Sequence, residues 1–135
     1  HRSSAASDVY KRQPIYYIQY SYARTQSVLD KTNKIIDTQV LVTPELKNLY
    51  KKLLEWENVI KSAYQKKEVH LIAHYLESLS SYFHTLWSSS KNNPKAKFLD
   101  KDSNISSDLH KLLCNYQNVL KDGLKILGIK PKLQM

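Results

Sequence analysis

Two tyrosines and an arginine recur at four-residue intervals near the beginning of the chain, at Tyr16, Tyr20 and Arg24. Side chains four residues apart lie on one face of an α-helix, so these three would form a row. Phenol rings offer flat surfaces on which nucleic-acid bases stack, and a guanidinium binds a phosphate or the edge of a base. The structural alternative is that the tyrosines are half-buried packing residues with solvated hydroxyls, which is common in helical bundles. Spacing alone leaves both interpretations open.

A second pattern that could do chemistry is a pair of histidines. His70 and His74 lie four residues apart, and Glu77 follows about one turn later. Such spacing can hold a metal ion, but the zinc-protease pattern requires Glu directly after the first His, where this chain has Leu71. We therefore interpret this face as an ordinary polar helix surface. His84 could stack on a base, line a pocket or simply pack at the margin of the core.

The chain lacks the patterns of a catalyst. It has no paired carboxylates and no Ser–His–Asp arrangement, and its two glycines are too few for a glycine-rich phosphate loop. The single cysteine, Cys114, excludes an internal disulfide, fits a reducing cytosol and is interpreted as a small core residue. We predict a binding module. Three classes stay open: an RNA-binding module, a helical protein-interaction domain and a metal-dependent enzyme.

Hydrophobic periodicity and the scarcity of glycine and proline predict an all-α bundle of four or five helices. Pro14 suits the first position of the opening helix, Thr43 suits the N-cap of the next, and Gly128 suits a left-handed cap after the last. We expect helices at 14–31, 43–67 with a break near 57–58, 69–90 and 106–127. The segment 35–42 is expected to be an extended linker without a partner strand, and 95–104 a charged loop. Residues 1–13 are interpreted as a linker stub or a non-native segment, and residues 14–135 as one helical domain.

The apolar positions of these helices predict the residues of the core. Each set recurs every three or four residues, which places its members on one helix face. The sets are Ile15, Ile18, Tyr22 and Leu29; Leu46, Leu49, Leu53, Trp56, Ile60 and Ala63; Val69, Ile72, Leu76, Leu79, Phe83 and Leu86; and Leu109, Leu112, Tyr116, Val119, Leu120, Leu124 and Leu127.

The chain is basic, with 21 Lys and Arg against 12 Asp and Glu, a net charge of +9. The excess is concentrated in the last third, where Lys91 to Met135 holds nine Lys against four Asp, a balance of +5. Such a charge favours an anionic partner such as a nucleic acid, although a solvated lysine-rich surface would have the same composition. No run of eighteen apolar residues and no apolar signal region is present, so we expect no membrane association and a cytoplasmic location.

The stretch Tyr16–Arg24 closely resembles the start of the C-terminal anticodon-binding domain of bacterial arginyl-tRNA synthetases, a domain of the DALR type. The resemblance continues in Ala73–Leu76, Phe83–Trp87 and Val119–Ile129, in matching order, and covers about residues 14 to 135. The literal Asp-Ala-Leu-Arg string is absent, and Ser21-Tyr22 stands where Ala-His is common. These departures keep a related glycyl β-chain or cysteinyl synthetase as an alternative.

The resemblance implies an all-helical module that binds the anticodon stem-loop of tRNA-Arg. It implies that ATP-dependent joining of arginine to tRNA occurs in a catalytic domain absent from this chain. ATP and Mg would belong to that domain, and the present chain would hold no catalytic residue, cofactor or metal. The partners implied are tRNA-Arg and the catalytic domain, and we expect a monomer. By resemblance combined with helical spacing, the RNA-binding residues are Tyr16, Tyr20, Arg24 and, less strongly, Trp87, with Met135 contributing the free carboxylate of the chain end.

Overall fold

The computed structural model describes residues 2–132, with side chains from residue 14 onward. Its helices are α1 (Arg2–Lys31), α2 (Pro44–Leu53), α3 (Trp56–Lys66), α4 (His70–Asn92) and α5 (Ser107–Ile126). Two short strands, β1 (Ile35–Ile36) and β2 (Ile105–Ser106), and a 3-10 turn at Pro94–Ala96 complete the described elements. The predicted all-α bundle is confirmed. None of the helices within this range combines the length and the apolar character needed to cross a membrane.

Helix α4 is the central element of the bundle, because α1, α2, α3 and α5 all pack against it. Its predicted seam is confirmed from Ile72 through Leu76 and Phe83 to Leu86, all of which are buried. Val69 was expected in the same seam but is 52% exposed, because it is the N-cap residue and precedes the packed turns. Helix α5 packs closely against this seam of α4 at Gly123. A Cβ atom added to this glycine would lie only 2.7 Å from Cδ1 of Leu76.

A buried polar link joins α1 to α5. The hydroxyl of Tyr116 donates to Oγ of Ser21 at 2.7 Å, and Ser21 in turn donates to the carbonyl of Ile18 at 2.7 Å. Burial raises the pKa of Tyr116, so the hydroxyl stays protonated and able to donate. Its ring stacks on Phe83 of α4 with centroids 4.7 Å apart. Ser21 therefore satisfies a phenol that would otherwise be buried without a partner.

The first helix is longer than predicted. It begins at Arg2, and Pro14 lies inside it instead of at its first position. A proline within a helix removes one backbone hydrogen bond, but flanking residues with good helix propensity can continue the helix through it. Ala5 and Ala6, of the residue type with the highest propensity, precede it. The later part of the helix matches the prediction, since Ile18 and Tyr22 are buried.

The predicted second helix is two helices, and the break lies earlier than expected. α2 ends at Leu53 and α3 begins at Trp56, so the predicted break near residues 57–58 is wrong by a few residues. The N–H of Glu55 bonds to the carbonyl of Lys52, which tightens the last turn. The bend lets Trp56 stack on Tyr75 of α4, with ring centroids 5.6 Å apart. The start is confirmed: Oγ1 of Thr43 accepts from the N–H of Leu46.

The segment after α1 has a partner strand, contrary to the prediction. β1 pairs in parallel with β2, and Ile35 lies opposite Ile105. Ile105 is fully buried, and its N–H bonds to the carbonyl of Lys34 at 2.9 Å. Two residues per strand are too few to show the alternation by which a strand is recognised in a sequence.

The end of α5 confirms the predicted cap. Gly128 has a φ of 75°, and the N–H of Ile129 bonds back to the carbonyl of Leu124 at 2.8 Å. This is the geometry in which glycine ends a helix. The chain then turns toward α1, where Nε2 of Gln19 donates to the carbonyl of Lys130 at 3.1 Å.

Candidate nucleic-acid interface

Aromatic rings from α1 and α4 form one partly exposed surface, which we call the aromatic ledge: Tyr16, Tyr17, Tyr20, His84 and Trp87. The rings of Tyr16 and Tyr20 are nearly parallel, with centroids 6.0 Å apart and an interplanar angle of 11°. Tyr20 is also nearly parallel to His84, at 5.8 Å and 25°. Tyr16 and Tyr17 are each more than half exposed. The rings of Tyr16 and Tyr17 are therefore presented to solvent, while those of Tyr20, His84 and Trp87 are half-buried beside them.

Arg24 is held beside the ledge by contacts on several sides. Its guanidinium carbon lies 4.2 Å from the centroid of Tyr20 and 4.9 Å from that of Trp87. Nη2 donates to the hydroxyl of Tyr20 at 2.8 Å, and Nη1 lies 3.3 Å from Nδ1 of His84. Two aromatic contacts and two hydrogen bonds fix the orientation of the half-buried guanidinium, and among the described residues its other N–H groups make no further hydrogen bond.

The hydrogen bonds of His84 indicate its tautomer. Its Nε2 lies 3.2 Å from the carbonyl of Tyr17, which can only accept, so Nε2 carries the proton. In the neutral ring, Nδ1 is then the acceptor for Arg24. Burial and the neighbouring Arg24 charge lower the pKa of His84 more than the Tyr17 carbonyl raises it, and this favours the same neutral form. His84 thus joins the backbone of α1 to the side chain of Arg24.

Two helical rows produce this arrangement. Tyr16, Tyr20 and Arg24 follow one another at four-residue spacing on α1, and His84 and Trp87 are three apart on α4. The contacts advance together along both helices, from Tyr17 with His84 to Arg24 with Trp87. The two helices therefore run in the same direction here, and their rows lie side by side.

The structure brings four of the predicted RNA-binding residues onto one surface: Tyr16, Tyr20, Arg24 and Trp87. Met135 lies outside the described residues. The nearest described contact of the C-terminal segment is the one between Lys130 and Gln19. The sequence did not single out Tyr17, because it falls outside the four-residue row; its ring contacts His84 edge-on, with centroids 5.9 Å apart.

The histidine pair on α4 has one carboxylate beside it in the part of the chain that the structure describes, since Nε2 of His70 lies 3.9 Å from Oε2 of Glu68. The rings of His70 and His74 meet edge-on with centroids 5.8 Å apart. Between residues 14 and 132, no three His, Cys, Asp or Glu side chains come together as metal ligands would. Cys114, predicted to be a core residue, is only half-buried, because it lies beside the buried face of α5 with Sγ 3.8 Å from Nδ1 of His110.

The structure is an all-α bundle in which stacked rings and the guanidinium of Arg24 share one surface, and comparison with known proteins identifies the family. The family model of the DALR anticodon binding domain matches residues 18–135. The chain belongs to this family.

Relatives with similar sequences include arginine–tRNA ligases. That of Pelagibacter ubique is 34% identical over 132 residues, covering 93% of this chain and 23% of the relative. That of Orientia tsutsugamushi is 34% identical over 130 residues, covering 86% and 22%. The chain thus spans about a quarter of the length of these relatives. The arginyl-tRNA synthetase of Thermus thermophilus shares the fold, with a TM-score of 0.69 at 24% identity over 88% of this chain and 21% of that one.

Proposed function

We propose that this chain binds the anticodon stem-loop of tRNA-Arg, and that the unpaired loop bases stack on the aromatic ledge. Single-stranded RNA is recognised largely by stacking of splayed bases on aromatic rings and by contacts to their edges. The observation that carries the proposal is the partly exposed row of near-parallel rings from Tyr16 through Tyr20 to His84, with Arg24 held beside it. The net charge of +9 supplies the long-range attraction that a polyanion requires.

In this proposal, Arg24 contributes a fixed orientation of its guanidinium as well as a positive charge. Its guanidinium is already oriented by Tyr20, Trp87 and His84, so little freedom is lost when a base edge or a phosphate binds. The free carboxylate of Met135 would contact a base from the chain end, as the family resemblance implies. Family membership supports this assignment, and the whole protein would be a cytoplasmic, monomeric arginine–tRNA ligase. Aminoacylation would then use ATP and Mg in a catalytic domain with which this chain cooperates.

The experiment compares Tyr20→Ala with Tyr64→Ala in a binding titration against a hairpin RNA that carries the tRNA-Arg anticodon loop. Tyr64 is a matched control, because it is 87% exposed on α3, away from the ledge. Stacking of one base on an aromatic ring is worth about 1–3 kcal/mol, so Tyr20→Ala should weaken binding by roughly fivefold to more than a hundredfold. Tyr64→Ala should bind normally. Equal affinities of the two variants, or no binding by the unaltered chain, would refute the proposal.

A further inference from the structure

The rows that form the aromatic ledge continue past Arg24 into a basic depression. On α1 the row Tyr16–Tyr20–Arg24 extends at helical spacing to Ser27 and Lys31. On α4 the residue one turn after Trp87 is Lys91. Both lysines line a depression of about 490 Å³, and a third, Lys97, reaches it from the loop after the 3-10 turn. We call these three residues the lysine cluster.

The lysine cluster directly adjoins the ledge. Trp87 lines the same depression, and its ring is contacted by Arg24 at 4.9 Å and by Nζ of Lys91 at 5.6 Å. One indole therefore contacts both the oriented guanidinium and the ammonium group of Lys91. A strand whose bases lie on the rings would reach the lysines without leaving the surface.

No carboxylate neutralises the cluster in the described part of the chain. None of the residues that line the depression is acidic. The acidic residues nearest in sequence are engaged elsewhere: Asp30 accepts from Gln26, and Asp100 accepts from the N–H groups of Asp102 and Asn104. Among residues 14–132, no ion pair involves any of the three lysines.

Favourable interaction with helix dipoles explains only part of the cluster. Lys31 and Lys91 lie in the last turns of α1 and α4, where a cation is stabilised by the negative end of a helix. Lys97 lies outside both helices and receives no such stabilisation. Three unpaired cations from three segments, placed around one concave site, have the character of a polyanion-binding site.

We propose that the lysine cluster binds backbone phosphates of the same RNA strand whose bases stack on the ledge. The surface would then have two functional halves: rings and Arg24 for the bases, and Lys31, Lys91 and Lys97 for the phosphates. Phosphate contacts position a nucleic acid without reading its sequence. The cluster sets affinity and register, and the ledge provides discrimination. This inference rests on the proposed RNA-binding function.

The test compares two double variants that remove the same charge. Lys91→Gln with Lys97→Gln alters the cluster, and Lys61→Gln with Lys66→Gln alters exposed lysines of α3. Affinity for the hairpin RNA is measured at several salt concentrations, together with that for a hairpin of scrambled loop sequence. Each lost phosphate contact lowers the steepness of log K against log salt by about 0.7 for single strands, so the cluster variant should lose about 1.4.

The cluster variant should weaken binding of both hairpins by a similar factor, and the α3 variant should keep the original slope. An unchanged slope in the cluster variant, or an equal change in both variants, would overturn the inference. If Tyr20→Ala still weakens binding in that case, the proposed function survives and only the phosphate site is lost. If the unaltered chain binds neither hairpin, both proposals fail.

Discussion

Nδ1 of His84 lies 3.3 Å from Nη1 of Arg24, although the two residues are 60 positions apart. The same ring donates from Nε2 to the backbone of Tyr17, one turn before Tyr20. A side chain of α4 thereby determines how a side chain of α1 is presented. In the proposed complex His84 would act on the RNA through Arg24, as a positioning residue.

Two substitutions separate the hydrogen bonds of His84. The amide of Asn occupies approximately the position of Nδ1, so His84→Asn can still accept from Arg24. The amide of Gln occupies approximately that of Nε2, so His84→Gln can donate to Tyr17 but not accept from Arg24. One hydrogen bond is worth about 0.5–1.5 kcal/mol, so we expect His84→Gln to bind the hairpin RNA roughly two- to tenfold more weakly than His84→Asn.

A thermal melt of both variants controls for folding, since each loses one contact of similar strength. The positioning role would be wrong if the order of affinities were reversed, or if both variants bound as tightly as the unaltered chain.

The stability of the chain should depend on the protonation of His84. Burial and Arg24 lower the pKa of His84 below its usual value of 6.5, so the unfolded chain takes up this proton first as the pH falls. The contribution of neutral His84 to the free energy of unfolding is therefore present above about pH 6.5, and it is lost as the pH falls through the lower pKa of the folded state. Denaturant unfolding between pH 7.5 and pH 5 should show the unaltered chain losing more stability than His84→Gln. Parallel losses in the two proteins would contradict this.

Arg24→Lys tests whether charge alone is sufficient at this position. Lysine keeps the cation but lacks the planar group that contacts Tyr20 and Trp87, and it cannot reproduce the two hydrogen bonds in the same geometry. We expect most of the affinity lost in Arg24→Ala to be lost in Arg24→Lys as well, with a smaller change in salt dependence. A lysine variant that binds the hairpin normally would show that the oriented guanidinium is unnecessary.

Removing either hydroxyl of the hydrogen bond between Tyr116 and Ser21 should lower the free energy of unfolding by a different amount. Tyr116→Phe removes a donor and leaves Ser21 bonded to the carbonyl of Ile18, which should cost about 1 kcal/mol of unfolding free energy. Ser21→Ala leaves the fully buried phenol without its acceptor, which should cost about 1–3 kcal/mol. The double variant should be no less stable than Ser21→Ala alone. Strictly additive losses in denaturant unfolding would show that the two hydroxyls act independently.

Helical spacing was sufficient to predict the row from Tyr16 to Arg24, because the period of a helix is a property of its backbone. It could not predict which residues of another helix lie opposite. The contacts of His84 and Trp87 with Arg24 depend on how α1 and α4 pack and on their common direction. Those properties emerge only from the bundle as a whole.

The errors in the predicted fold have similar causes. Pro14 is a common first residue of helices, but the local preference does not require that position, and α1 passes through it. The strand of Ile35 depends on a partner that is distant in sequence, Ile105. Ser21 stood out only as a departure from the family pattern, and its role becomes visible once Tyr116 is seen beside it.

NMR can map whether RNA lies along the α1–α4 surface. Isotope-labelled chain is titrated with the hairpin RNA, and the shift changes of assigned backbone and aromatic signals are mapped. We expect the largest changes at Tyr16–Arg24 on α1 and His84–Lys91 on α4, while the signals of α3 (Trp56–Lys66) remain unchanged. Changes concentrated on α3, with the signals of Tyr20 and Trp87 unmoved at saturation, would contradict this prediction.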